Sequence, residues 1–137
     1  MKIEDWDRFS SLLFNDNYSE AEKLVRDEPS LITGTNGIGE TVLHYHAVEN
    51  NRKGVEWLYS HGADLNAKNE FGIPVVFEVA LLGYRSLLDW MVKNGADLFA
   101  MSKEGGIQDY LEEYNALEMI QYVKNKMAEQ GCAGNVD

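Results

Sequence analysis

The sequence has few of the features that mark secreted, membrane-spanning or nucleic-acid-binding proteins. Its 137 residues include one cysteine, Cys132, so no disulfide can form within the chain and a reducing, cytoplasmic location is expected. No apolar run approaches the roughly 20 residues that cross a bilayer, and the acidic start lacks the apolar region of a secretory signal. With 12 basic against 23 acidic side chains, we expect neither nucleic acid nor membrane as a partner.

Motifs for catalysis are missing as well. The sequence contains no Gly-x-Ser-x-Gly nucleophile turn and no Gly-x-x-x-x-Gly-Lys-Ser/Thr phosphate loop. Carboxylate pairs such as Glu112 and Glu113 carry no information in so acidic a chain. We therefore expect a non-catalytic protein without a cofactor.

The formal net charge of −11 has two interpretations. An acidic excess keeps a protein soluble, and it also speeds association with basic partners by electrostatic steering. Five acids and no lysine or arginine lie between Glu104 and Glu118. Such a run is typical of a solvated face and is equally suited to steering a basic partner, so the sequence leaves both interpretations open.

What the chain does contain is an internal repeat. Residues 62–65 and 95–98 both read Gly-Ala-Asp-Leu and begin 33 residues apart. The same spacing relates Trp57 to Trp90 and links Gly39, Gly72 and Gly105. A fixed period of this length indicates stacked supersecondary units that share one core and present an extended surface.

One period predicts two short antiparallel helices followed by a loop that doubles back. Thr41 is suited to cap the first helix through its hydroxyl, and Asn50-Asn51 favours a turn. A second apolar segment ends at Gly62, where a left-handed helix cap is expected. In the next period Pro74 takes the place of Thr41, which suits the first turn of a helix.

This pattern resembles the ankyrin repeat. The matching residues are the run 41–44, Thr-Val-Leu-His, the alanines Ala47 and Ala80, and the two Gly-Ala-Asp-Leu runs. The resemblance implies an all-α solenoid of stacked helix-turn-helix units joined by hairpin-like loops. It also implies an ankyrin repeat domain over residues 1–128, followed by a flexible tail over 129–137. Within the domain we predict an N-terminal capping repeat at 1–36, full repeats at 37–69 and 70–102, and a C-terminal capping repeat at 103–128.

The two histidines at positions 44 and 46 are the only candidate metal ligands that attract notice. Side chains two residues apart on a helix point about 200° away from each other, so His44 and His46 are poorly placed to share one ion. The resemblance implies that His44 hydrogen-bonds backbone between repeats. We expect His46 to be a partly buried, hydrogen-bonded ring, and we predict no metal site.

In the ankyrin family, partners usually dock on the concave face formed by the loop tips and the first helices. Carried over position by position, the resemblance implies a partner-binding set of thirteen residues: Ile38, Glu40, Tyr45, Glu49, Lys68, Glu70, Phe71, Ile73, Glu78, Leu81, Met101, Glu104 and Tyr114. Phe71 and Ile73 flank Gly72 at a tip that the family usually leaves polar. Two interpretations stay open: an aromatic binding anchor ringed by acids, or a Phe71 that packs back against Tyr45 or the neighbouring repeat.

The leading functional hypothesis is a module, monomeric when free, that binds a basic protein partner through its concave face. A sharper version is an immunity protein that neutralises a toxin, because some bacterial immunity proteins are similar to this chain in size, acidity and fold. The alternatives are an adaptor or effector that binds a host protein and, in a different class, a metal or small-molecule site at His44 and His46. Self-association through Phe71 and Ile73 is a further possibility.

Overall fold

The chain is built from α-helices arranged as consecutive antiparallel pairs. The computed structural model describes residues 1–134, and that part contains eight α-helices and no β-strand. A short 3₁₀ helix, Pro29–Ile32, follows the second of them. The helices are α1 (Ile3–Phe14), α2 (Tyr18–Asp27), α3 (Val42–Val48), α4 (Arg52–Ser60), α5 (Val75–Leu81), α6 (Arg85–Lys93), α7 (Ile107–Glu113) and α8 (Leu117–Gly134).

Each odd-numbered helix packs against the helix that follows it, and the odd-numbered helices also form a row in which α1 contacts α3, α3 contacts α5 and α5 contacts α7. Ala47 and Ala80, one in each of the two central first helices, are fully buried, and their small side chains permit close helix approach. The core runs through all four helix pairs, from Phe9 through Phe77 to Leu111. This stacked helical architecture confirms the predicted all-α repeat fold.

Helix ends are fixed by local chemistry that the period predicts. The Thr41 side chain accepts a 3.2 Å hydrogen bond from the backbone N–H of His44, and so caps α3. Asn51 caps α4 in the same way, since its side chain accepts from the N–H of Gly54. Asn50 and Gly83 occupy equivalent turns between paired helices, with φ of 56° and 74°.

The loops between pairs are narrow hairpin-like turns, each closed by one antiparallel bridge. In the first full loop the Asn36 side chain accepts from the N–H groups of Ile38 and Glu40. In the second, Asn69 accepts equivalently from Phe71 and Ile73. These side-chain bonds mimic a backbone turn and hold each tip in one conformation.

The C-terminal prediction needs correction. Residues 129–134 were expected to belong to a flexible tail, but they continue α8. The physical reason is Gln130, whose amide donates to the carbonyl of Ala96 at 2.8 Å and accepts from the N–H of Leu98 at 2.9 Å. Residues 135–137 of that predicted tail lie outside the described residues. The proposed unit bounds at 36, 69 and 102 stay predictions.

No helix in the described part of the chain is both long enough and apolar enough to cross a membrane.

Candidate functional site

The loop tips place large apolar side chains in solvent. Phe71 is 69% exposed, although it stands on a tip whose backbone is tied down by Asn69. This exposure is inconsistent with the interpretation in which Phe71 packs back against Tyr45 or a neighbouring repeat. Three other predicted site residues, Ile38, Met101 and Tyr114, are exposed as well. Phe71 and Tyr114 line the same groove, and exposed apolar side chains that lie together are typical of interaction surfaces.

A groove of about 600 Å³ lies between the second and third loop tips and the first helices beneath them. We call it the Phe71 groove. It brings together six of the thirteen predicted residues: Glu70, Phe71, Ile73, Glu78, Glu104 and Tyr114. Asn69, Ser102, Lys103 and Tyr110 complete its lining.

The Phe71 groove combines aromatic walls with carboxylates. The rings of Tyr110 and Tyr114 lie 5.0 Å apart between centroids, and Phe77 packs beneath Tyr110 at 5.5 Å. Burial, reinforced by the nearby Glu78 carboxylate, raises the pKa of Tyr110 to about 12, so its hydroxyl stays protonated. Three glutamates line the groove against one basic side chain, Lys103. The groove therefore suits a ligand that carries positive charge beside an apolar group.

The other predicted residues do not join the Phe71 groove. Tyr45 is half-buried and packs against the rings of Trp6 and Phe14 at 5.7 and 5.8 Å, in a separate depression near α1. Tyr45 therefore lies apart from Phe71, because its ring packs against the aromatic side chains of α1. Leu81 faces a third hollow beside Leu117, between the α5–α6 and α7–α8 turns.

Three further members of the predicted set have other surroundings. Lys68 donates from its ammonium to the carbonyl of Met101 at 3.1 Å, which braces one tip against the next. Glu49 is exposed at the C-terminal end of α3. Glu40 is nearly buried and lies beside His44.

The family comparison agrees with this geometry. Residues 38–70 match the family model described as Ankyrin repeat. This chain contains an ankyrin repeat. A search of curated proteins gives no match. Ankyrin repeats mediate protein–protein interactions, and the family is in general non-catalytic.

The two histidines of this ankyrin-repeat protein lie in different surroundings and do not form a shared site. His46 is fully buried: its Nε2 is 2.8 Å from the Ser10 hydroxyl, and its Nδ1 is 2.8 Å from the Asn51 amide nitrogen. Phe14 stacks on the ring at 4.0 Å. Burial lowers the pKa of His46 to about 4, partly offset by its bond with Ser10, so the ring is neutral at pH 7. Because both nitrogens are engaged, His46 is a structural residue.

His44 differs from its predicted role. It is fully buried, but neither ring nitrogen makes a hydrogen bond with the described residues, so the expected bond to backbone is not formed. Its Nε2 instead faces the carboxylates of Glu78 at 3.2 Å and Glu40 at 4.0 Å. The contact with Glu78 is close in distance but lacks the alignment of a hydrogen bond.

Sequence reasoning missed Tyr110 as part of the groove. Tyr110, on α7, lies four residues before Tyr114, which caps the C-terminal end of that helix, so the two side chains share one face. This spacing was available in the sequence. The sequence position 33 residues earlier is the buried Phe77, which favours a core role for Tyr110. At the edge of the terminal repeat that position is only half-buried, and the Tyr110 ring forms a wall of the groove.

Proposed function

We propose that this ankyrin-repeat protein is a non-catalytic module that binds a basic protein partner through its concave face, with the Phe71 groove at the centre. The observation that carries the proposal is the exposure of Phe71 on a hydrogen-bonded tip above a groove lined by three glutamates. Interface hot spots are typically aromatic anchors surrounded by polar groups, and the groove has that composition.

Preorganisation supports the proposal. The Asn69 side chain accepts from the backbone N–H groups of Phe71 and Ile73 at 2.9 and 3.1 Å, so the tip keeps one shape before a partner arrives. A partner then loses less free energy to loop ordering than it would on a mobile tip. The exposed phenyl group has no evident role in packing the repeat.

Charge defines the chemistry of the partner. Glu70, Glu78 and Glu104 line the groove, and the chain as a whole carries a net charge of −11. A lysine- or arginine-bearing segment with one apolar side chain would place its cation near these carboxylates and its apolar group against Phe71. Association should then be fast at low salt and slow as salt screens the field.

A narrower form of the proposal is a cytoplasmic immunity protein that covers the active surface of a basic toxin. Its support is the acidity of the chain. An adaptor or effector that binds a host protein would use the same surface. The identity of the captured partner separates these possibilities: a toxic enzyme whose activity is blocked on binding supports the first, and a host protein supports the second.

The experiment is affinity capture from the native source at low salt, run in parallel with the wild-type chain and with a Glu70→Gln, Glu104→Gln double variant. A basic protein retained in near-equal amount by the wild type and much reduced with the double variant supports the proposal. Retention that is the same for both proteins would contradict the assignment of the groove. Light scattering of the free chain across a concentration series checks the monomer prediction.

A further inference from the structure

Three potential metal ligands meet between the first loop tip and the first helix of the next repeat. Glu40 precedes α3, His44 lies in the first turn of α3, and Glu78 lies on α5. One donor atom from each of the three lies within 4.8 Å of the other two. These residues come from two successive repeats, and we call them the Glu-His-Glu cluster.

The buried imidazole makes this more than an acidic surface cluster. His44 is 0% exposed, and its Nε2 lies 3.2 Å from Glu78 Oε1 and 4.0 Å from Glu40 Oε2 without a hydrogen-bond partner in the described chain. The side chains of Glu40 and Glu78 are only 12% and 21% exposed. In the described residues, neither carboxylate forms a salt bridge with a lysine or arginine. A buried nitrogen without a partner is costly, and a bound cation would satisfy it.

Asparagine side chains hold both carboxylates in place by hydrogen bonds. The Asn36 amide donates to Glu40 Oε1 at 3.2 Å, which leaves Oε2 facing His44. The Asn69 amide donates to Glu78 Oε1 at 3.1 Å. Outer hydrogen bonds of this kind orient carboxylate ligands in metal sites. The two asparagines also build the loop tips, so each carboxylate is anchored to a rigid element.

We propose that the Glu-His-Glu cluster binds one divalent transition-metal ion, for which zinc is the appropriate first probe. One imidazole nitrogen and two carboxylate oxygens are donors that zinc accepts, and bonds of about 2.0–2.2 Å place neighbouring ligand atoms about 3.3 Å apart. The separation of 3.2 Å between His44 Nε2 and Glu78 Oε1 matches that value. Three protein ligands leave a fourth position open to water or to a partner side chain.

The metal proposal does not depend on the proposed partner. An ion bound to Glu40 and Glu78 would link two successive repeats, so it would raise the melting temperature of the free chain. Glu78 also lines the Phe71 groove, so the same ion would lie at the edge of the proposed docking surface.

The test is a calorimetric titration of chelator-treated protein with Zn²⁺ alone, together with NMR of the imidazole nitrogens. We expect one equivalent to bind, a shift of the His44 Nε2 resonance, and a rise in melting temperature. Glu78→Gln keeps the size of the side chain and an acceptor for Asn69, and it should weaken Zn²⁺ binding at least tenfold, as should Glu40→Gln. Glu49→Gln, on an exposed glutamate at the end of α3, is the matched control and should bind as the wild type does.

Three results would overturn the proposal: no stoichiometric binding of Zn²⁺, binding unaffected by both Glu40→Gln and Glu78→Gln, or a shift at His61 instead of His44. Nε2 of His61, at the C-terminal end of α4, lies 2.7 Å from Oε2 of Glu22 on α2. This pair is the alternative surface site for zinc. Melting curves in chelator verify that the glutamine variants are folded, so loss of binding cannot be confused with loss of structure.

Discussion

The hydroxyl of Ser10, in α1, lies 2.8 Å from Nε2 of His46, in α3, and both side chains are buried. On the other side of the ring, the Asn51 side-chain oxygen accepts from the N–H of Gly54, so its amide N–H₂ faces Nδ1. Nδ1 is therefore the acceptor, and Nε2 carries the proton that it donates to Ser10. This chain of bonds ties the first helix pair to the second.

Replacing Ser10 by alanine should destabilise the fold. The change leaves the buried Nε2–H of His46 without an acceptor, which costs about 1–3 kcal/mol in the free energy of unfolding. Urea unfolding followed by circular dichroism measures the loss. The matched control is Ser11→Ala, because Ser11 is exposed one position along the same helix. Equal stabilities for the two variants would show that the Ser10–His46 bond contributes nothing.

Acidification should weaken the fold through His46. Its pKa is about 4 in the folded chain and 6.5 in an ordinary setting, so between these values the unfolded chain binds the additional proton. The contribution of the neutral His46 ring to the free energy of unfolding is fully present above pH 6.5 and is lost as the pH falls toward 4. It amounts to about 3 kcal/mol at most. NMR titration of the His46 ring in chelator, with unfolding curves at each pH, measures both quantities. A ring that titrates near 6.5 would refute this prediction.

Two equivalent glycines should respond differently to alanine. Gly39 and Gly72 have φ of 74° and 76°, so alanine at either position costs about 1–2 kcal/mol in backbone strain. At Gly39 an added Cβ would also lie 2.7 Å from the backbone nitrogen of Glu70, whereas at Gly72 it meets nothing within 4 Å. Gly39→Ala should therefore lower the melting temperature more than Gly72→Ala. Equal shifts would mean that contact between the tips is unimportant.

Gln130 should determine how far α8 stays ordered. Gln130→Ala removes both bonds to the backbone of Ala96 and Leu98, which should cost about 2 kcal/mol, at about 1 kcal/mol per bond. Amide hydrogen exchange should then accelerate at Leu98 and in the last turns of the helix. Glu129→Ala, at an exposed neighbouring position, should leave exchange unchanged. Unchanged protection in Gln130→Ala would show that other contacts hold the helix end.

The repeat architecture could be predicted from sequence because its determinants are local and periodic. Thr41 caps its helix, and Gly39 and Gly72 take the positive φ that their turns require. None of these roles needs knowledge of a distant residue. The end of α8 depends on distant residues, because Gln130 bonds to Leu98 and Ala96, 32 and 34 positions earlier. From sequence alone, a composition rich in small residues predicts a flexible tail there.

The candidate site was only partly accessible to the same reasoning. The resemblance placed Phe71, Ile73 and Glu78 on the concave side, and the structure gathers them in one groove. It did not indicate the surroundings of Tyr45, because the Trp6 and Phe14 rings that pack on it belong to the divergent first repeat. The surroundings of His44 also depend on Glu78, 34 residues away, which no local pattern indicates.

The most direct measurement of the central claim is the affinity of a captured partner for Phe71→Ala. Phe71 is 69% exposed, so the variant should melt as the wild type does while its dissociation constant rises about 30-fold, or about 2 kcal/mol. Leu117→Ala, at an exposed apolar position in the hollow beside Leu81, should bind with unchanged affinity. Unchanged affinity in a folded Phe71→Ala would contradict the account.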